Sequence, residues 1–272
     1  MTLITFLGTC GGRFATIYQS RSTGGIFIQD SVNIFIDPGP GAIMRMKEVK
    51  IDPTIIDLLL VSHCHPDHYT DVDVLIEAMT KGCTQKRGTI IASQSMIEGT
   101  EGFKPKASNY HLSHLENVFV AKPKENFSVG TIKITATPTI HTDPSGVGFK
   151  IHTKNGTITY TSDTSVNDDI IDSYADSRLL ILALTTPMGI KLHHHLSPED
   201  AVSILKKVPP EKALLTHFGL RALNVGPDSI AEWIQEKSGI ITIAAQDGMK
   251  VEMGEKIEIL KNLNSVQNRT IQ

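Results

Sequence analysis

Short apolar blocks separated by turn-forming residues run along the whole chain. Residues 4–7 read as a strand ending in the loop Gly8-Thr9-Cys10-Gly11-Gly12. Residues 26–28 and 32–36 read as a hairpin turned at Asp30-Ser31 and stopped by Asp37-Pro38-Gly39-Pro40-Gly41. Residues 56–61 are continuously apolar, the pattern of a strand buried on both faces. That strand feeds Ser62-His63-Cys64-His65-Pro66-Asp67-His68. Thr70 or Asp71 can then cap a helix whose apolar face is Val72, Leu75, Ile76 and Met79.

Further along, residues 89–92 predict a short strand, and the polar, turn-rich stretch 98–116 predicts a surface excursion. Residues 117–121, 131–135 and 146–153 alternate as antiparallel strands do. Asn155-Gly156 is the strongest hairpin signal in the chain and joins 149–153 to 157–161. Residues 178–184, 213–216 and 240–244 predict further strands. Ser197 caps a helix with Pro198 in its first turn, and 227–237 predict another helix. This order suits an α+β fold of two mainly antiparallel or mixed sheets packed face to face, with helices outside and two similar halves. One domain is expected over 1–255, followed by a polar C-terminal tail at 256–272.

Composition narrows the function classes. At 272 residues, 40% hydrophobic and 20% charged, the chain can bury a sizeable core and is not a disordered polymer. The longest apolar runs, such as 55–61 and 179–184, fall far short of the ~20 residues of a membrane helix. A net charge of -3 supplies no general basic field for a polyanion. No signal peptide is visible before the first strand, and Cys10, Cys64 and Cys83 form no CxxC pair. A reducing cytoplasm is the expected setting.

Histidine changes the picture. There are 11, and His63, His65, Asp67 and His68 crowd the exit of a buried strand. An HxHxDH string arises by chance in roughly one such sequence in a thousand. Residues i and i+2 of an extended segment share a side, so His63 and His65 can grip one ion together. Cys64 then points the other way, as packing. Asp67 and His68, after Pro66, can face a second ion. Imidazole with carboxylate suits zinc, manganese or iron better than calcium or magnesium. His141, Asp163 and His217 also follow strand-like runs and are candidate ligands.

The chain resembles the metallo-β-lactamase fold superfamily. Gly8-Thr9-Cys10-Gly11-Gly12, Asp37-Pro38-Gly39, the string from His63 to His68, His141, Thr161-Ser162-Asp163-Thr164 and Leu215-Thr216-His217-Phe218 stand in the expected order over nearly the whole length. The resemblance implies a four-layer αβ/βα sandwich. It implies one metal held by His63, His65 and His141, a second by Asp67, His68 and His217, and Asp163 bridging both. His195-Leu196-Ser197-Pro198-Glu199-Asp200-Ala201 is similar to the RNase Z and phosphodiesterase branch, which makes His195 the candidate general acid or phosphate ligand. His193 and His194 compete for that role. His111 and His114 are expected at the surface, and His152 in a structural place. Asp37, Ser62 or Thr161 could orient the ligand histidines.

Departures from the family shape the expected function. RNase Z carries a tRNA-gripping insertion between the positions of His141 and Asp163, whereas only 21 residues lie between them here. Leu184-Thr185-Thr186-Pro187-Met188 lacks the second His-Glu motif of that branch. Tyr69-Thr70-Asp71 stands where glyoxalase II has two glycines, and a secreted β-lactamase would need an export signal. A redox relative would carry Glu in place of His65 and a flavin domain. The expectation is a phosphodiesterase acting on a small or cyclic phosphodiester or a nucleic-acid end, with Asp67 and His195 as catalytic groups. Its expected cofactors are two divalent transition-metal ions, zinc first, sharing a water that attacks as hydroxide. The alternatives are hydrolysis of a carboxylic ester, thioester or lactone, and a non-hydrolytic metal-binding protein. The expected partners are the substrate and at most a second copy in a homodimer, with no stable nucleic-acid complex and no membrane.

Overall fold

The computed structural model describes residues 1–260. Its strands in chain order are β1 (Thr2–Phe6), β2 (Ile26–Gln29), β3 (Asn33–Ile36), β4 (Leu58–Val61), β5 (Thr89–Ser93), β6 (Asn117–Ala121), β7 (Asn126–Val129), β8 (Ile132–Pro138), β9 (Val147–Thr153), β10 (Gly156–Tyr160), β11 (Leu179–Ala183), β12 (Lys212–Thr216), β13 (Thr242–Ala244), β14 (Lys250–Met253) and β15 (Ile257–Leu260). They form two sheets, ordered β15-β14-β1-β2-β3-β4-β5-β6 and β13-β12-β11-β10-β9-β8-β7. In each sheet an antiparallel run passes into a parallel one: β2 pairs antiparallel with β3 and β3 parallel with β4, while β9 pairs antiparallel with β10 and β10 parallel with β11; β14 and β15 then extend the antiparallel side of the first sheet. The two halves thus repeat one pattern, as the residues suggested.

Packing separates four layers. Ile4, Phe6, Ile34 and Leu60 of one sheet meet Ile134, Phe149, Ile158 and Ile181 of the other in the central core. The outer face of the first sheet offers Phe27, Phe35 and Leu59 to Met46, Leu75, Ile76 and Met79. That of the second offers Leu180, Leu182 and Leu215 to Ile204, Leu205, Ile230 and Ile234. Strands buried on both faces explain the unbroken apolar runs at β4 and β11. Among the described residues, no helix is long and apolar enough to cross a membrane.

Several elements differ from the sequence expectation. β6 is not an antiparallel partner of the later strands; it runs parallel to β5 at the edge of the first sheet, with Ile90 opposite Val118. Edge strands of either kind alternate, so the pattern fixes a strand but not its partner. Asp71 does not cap its own helix, Val72–Met79. Its carboxylate instead accepts from the Ile43 amide at 3.1 Å, at the start of helix Ala42–Glu48, which the sequence did not announce. The sandwich also passes the expected boundary at 255, because β15 pairs with β14 through Leu260. The remainder of the expected tail, 261–272, lies outside the described residues. The 98–116 excursion carries helix Asn109–Leu112 and buries Ala107 and Leu115.

Candidate metal centre

The parallel halves of both sheets deliver their C-terminal ends to one cleft, the usual place for a site in sheets of this kind. Asp37 follows β3, His63 follows β4 after Ser62, Asp163 follows β10, and His217 follows β12 directly. His141 comes from the loop after β8. Pro66 opens the single turn Pro66–Tyr69, which turns Asp67 and His68 back toward the strand ends. The backbone is strained here: Asp37, Ser162 and His217 all have left-handed φ, 50°, 56° and 62°. Such conformations persist where the surroundings over-determine them, and they concentrate at functional sites. Gly11 is required because a Cβ there would lie 2.0 Å from the His217 ring.

Three imidazole nitrogens converge first. His65 Nδ1 lies 3.0 Å from both His63 Nε2 and His141 Nε2. Beside them, His68 Nε2 and His217 Nε2 are 3.1 Å apart, and Asp67 Oδ2 lies 3.6 Å and 3.4 Å from them. Asp163 stands between the groups. Its Oδ1 is 3.1 Å from His217 Nε2, and its Oδ2 is 3.8 Å from both His68 Nε2 and His141 Nε2. The seven residues singled out as ligands are therefore all brought together. Donors about 2.0–2.1 Å from a tetrahedral ion sit roughly 3.3 Å from one another, which is the spacing found. Asp163 Oδ1 is moreover buried with no hydrogen-bond partner. A divalent transition-metal ion would supply the partner that this oxygen lacks, so the residues fit the metals that the family implies.

Hydrogen bonds aim the rings. Asp37 Oδ2 accepts from the Ser62 hydroxyl at 2.7 Å and lies 2.8 Å from His68 Nδ1, and the same hydroxyl lies 2.9 Å from His63 Nδ1. One carboxylate thus orients a histidine of each group. The expected part of Thr161 is corrected: its hydroxyl donates to the Ser162 carbonyl and accepts from the Ala183 amide, and so it ties β10 to β11. Thr185, not foreseen, takes that work for His217, 3.1 Å from its Nδ1. Asp143 was also missed. It accepts from the Cys64 amide and from Ser95, bracing the histidine loop from behind. Gly12 N donates to Asp67 Oδ2 at 2.7 Å.

Electrostatics follow from burial and from the carboxylates Asp37, Asp67 and Asp163 beside the rings. Burial pushes His63 well below its ordinary value, and His68 adds to the effect. Burial likewise brings His141 down to about 4. Both rings are held neutral, the form that binds metal. His68 is the exception: burial opposes its charge, but Asp67 and Asp37 raise it to about 10. His195 Nε2 is 3.4 Å from Asp163 Oδ2, and His195 also completes a donor group with His141 and Asp163. Burial disfavours the charged form of His195, yet the bond to Asp163 raises its pKa. His194 turns its carbonyl to His141 Nδ1 at 2.9 Å, so it acts through its backbone. His193 lines the pocket, His152 lies in β9 beside Thr135, and His114 is half-buried, its Nδ1 2.9 Å from the Tyr110 carbonyl.

A sandwich with a His/Asp cluster at its strand ends is the architecture of the metal-dependent hydrolases of the metallo-β-lactamase fold. The chain belongs to that superfamily: a model of the beta-lactamase superfamily domain matches residues 32–218. It is 40% identical over 253 residues to an uncharacterized protein of Methanocaldococcus jannaschii, covering 92% of this chain and 94% of that one. Ribonuclease Z of Thermoplasma volcanium is 25% identical over 309 aligned positions, covering 93% and 98%. The crystal structure of YhfI, a metallo-β-lactamase fold protein of Bacillus subtilis, superposes with a TM-score of 0.75 at 21% identity, covering 92% and 98%. The chain thus stands near the RNase Z-like branch.

Proposed function

We propose that this hydrolase cleaves a small or cyclic phosphodiester, or a short nucleic-acid end, with two divalent transition-metal ions, zinc foremost. The observation that carries the reading is the place of His195. It lines a cavity of about 580 Å³ together with His65, Asp67, His141 and Asp163. It stands within reach of the centre and two residues before the capped N-terminus of helix Pro198–Lys207, a setting that favours an anion. Arg13 and Arg221 line the same cavity. Among the described residues, the arginine ion pairs are those of Arg45, Arg87 and Arg178, which leaves these two cations for the substrate. Similarity to a ribonuclease Z also favours phosphodiester chemistry.

His63, His65 and His141 would hold one such ion and Asp67, His68 and His217 the other, with Asp163 between the two groups; the ions would lower the pKa of a water toward ~7 and offset the charge on phosphoryl oxygens. Asp67 orients the attacking water, and His195 gives its proton to the leaving oxygen. Acid catalysis of this kind contributes about 10²–10⁴-fold. The net charge of -3 and the tight hairpin at Asn155-Gly156 argue against a stable complex with tRNA.

A second reading, ester, thioester or lactone hydrolysis, is favoured by the apolar side chains Phe14, Ile190 and Leu192 in the cavity wall. Rates on a substrate panel separate the two. An aryl phosphodiester should be turned over faster than a simple lactone, a glutathione thioester or a cephalosporin. Turnover of a lactone or thioester orders of magnitude faster would give the second reading the site.

A further inference from the structure

A second group of metal-ligating side chains lies outside the centre, where helix Val72–Met79 meets helix Asn109–Leu112. The donor atoms of Glu77, Cys83 and His111 lie within 4.8 Å of one another. His111 Nε2 is 3.0 Å from Glu77 Oε1. His111 Nδ1 is buried with no hydrogen-bond partner, although Asp73 Oδ2 lies 3.4 Å away. The other oxygen of Asp73 accepts from the Ser108 amide at 3.1 Å, which fixes that carboxylate in place. Cys83 is held by an unusual turn: Lys81, Gly82 and Cys83 have consecutive left-handed φ of 50°, 67° and 59°. Such a conformation is unfavourable for the two non-glycine residues. The Thr80 hydroxyl, accepting from the Cys83 amide at 3.2 Å, helps to pin the turn.

Ion pairs to Glu77 and Asp73 account for His111, but they make no use of the Cys83 thiol held among the same donors. A soft cation does. We propose that Glu77, Cys83 and His111 form an auxiliary structural site for a thiophilic divalent ion such as zinc, with solvent completing the coordination. On binding, the thiol proton leaves to solvent. The imidazole proton passes from Nε2 to Nδ1, where it faces Asp73, the carboxylate–histidine–metal arrangement of many zinc sites. The ion ties the end of one helix to the 98–116 excursion. That excursion also carries Phe103, whose ring centroid lies 6.5 Å from that of His65 at the centre.

Cobalt titration of the metal-stripped full-length protein tests this apart from any activity. The donor groups of the central cluster contain no cysteine. A thiolate-to-cobalt charge-transfer band therefore reports the auxiliary site. The wild type should develop such a band, saturating at one ion. Cys83→Ser and His111→Ala should lose it while keeping the cobalt absorption of the centre and a wild-type far-UV spectrum. His63→Ala should keep it even though the centre is damaged. Absence of the band in the wild type, or its persistence in Cys83→Ser, would overturn the proposal.

Discussion

The proposed chemistry rests on His195, whose Nε2 lies 3.4 Å from Asp163 Oδ2. His195→Ala should keep the fold and the metal content. It should lower kcat by about 10²-fold or more on a phosphodiester with a poor leaving group. The loss should shrink for a nitrophenolate leaving group, which hardly needs a proton. Loss of an ion from this variant would instead make His195 a ligand alongside His141 and Asp163. The buried thiols give a pH prediction. Burial pushes the Cys10 and Cys64 thiols up to about 12, well above the ordinary thiol value of about 9. A raised folded pKa means that their contribution to stability is full below about 9 and is lost as pH rises toward 12. Denaturation midpoints should fall between pH 9 and 11, and fall less steeply in Cys10→Ala or Cys64→Ala. An identical slope in all three proteins would remove the thiols from that balance. The string from His63 to His68 is legible in sequence because its members are neighbours on one short loop. Asp143 is not, because its partners Cys64 and Ser95 lie 79 and 48 residues away and only folding joins them. Thr161 shows the converse: closeness in sequence to Asp163 did not turn its hydroxyl toward a histidine.

Among the elements, helix Pro198–Lys207 shows how local signals succeed. Ser197 accepts from the Asp200 amide and Asp200 accepts from the Ser197 amide, a reciprocal cap written in four consecutive residues. Ser197→Ala should cost about 1 kcal/mol of stability, measured by chemical denaturation. It should also disturb the approach of His195, so kcat should fall with metal content unchanged. Unchanged stability would show that Asp200 alone holds that helix end. Short elements held by distant partners were not legible. β14 and β15 are four residues each, and β14 gains its place only by pairing with β1 across the length of the chain. Likewise Asp71 reads as the cap of the helix that follows it, but it serves the helix that precedes it in the fold.

Across the whole molecule, two sheets with the same antiparallel-to-parallel progression put their parallel ends at one cleft. That symmetry of construction lets histidines from both halves meet over Asp163. The two packed sheets and the candidate donors could be read from the residues, since strand exits mark where a cleft will form, while the four layers and the division of the donors into two groups came through the family resemblance. The auxiliary group at Cys83 could not, since its three members carry no shared spacing and His111 reads as an ordinary surface residue. The cluster from His63 to His217 is proposed to hold two ions. Elemental analysis of Cys83→Ser protein, stripped and reloaded with zinc, tests this, because among the described residues that variant removes the thiol of the donor group proposed outside the centre. Two zinc ions per chain are predicted, falling together with activity in His63→Ala. A stoichiometry well below one ion per chain would contradict the two-ion centre.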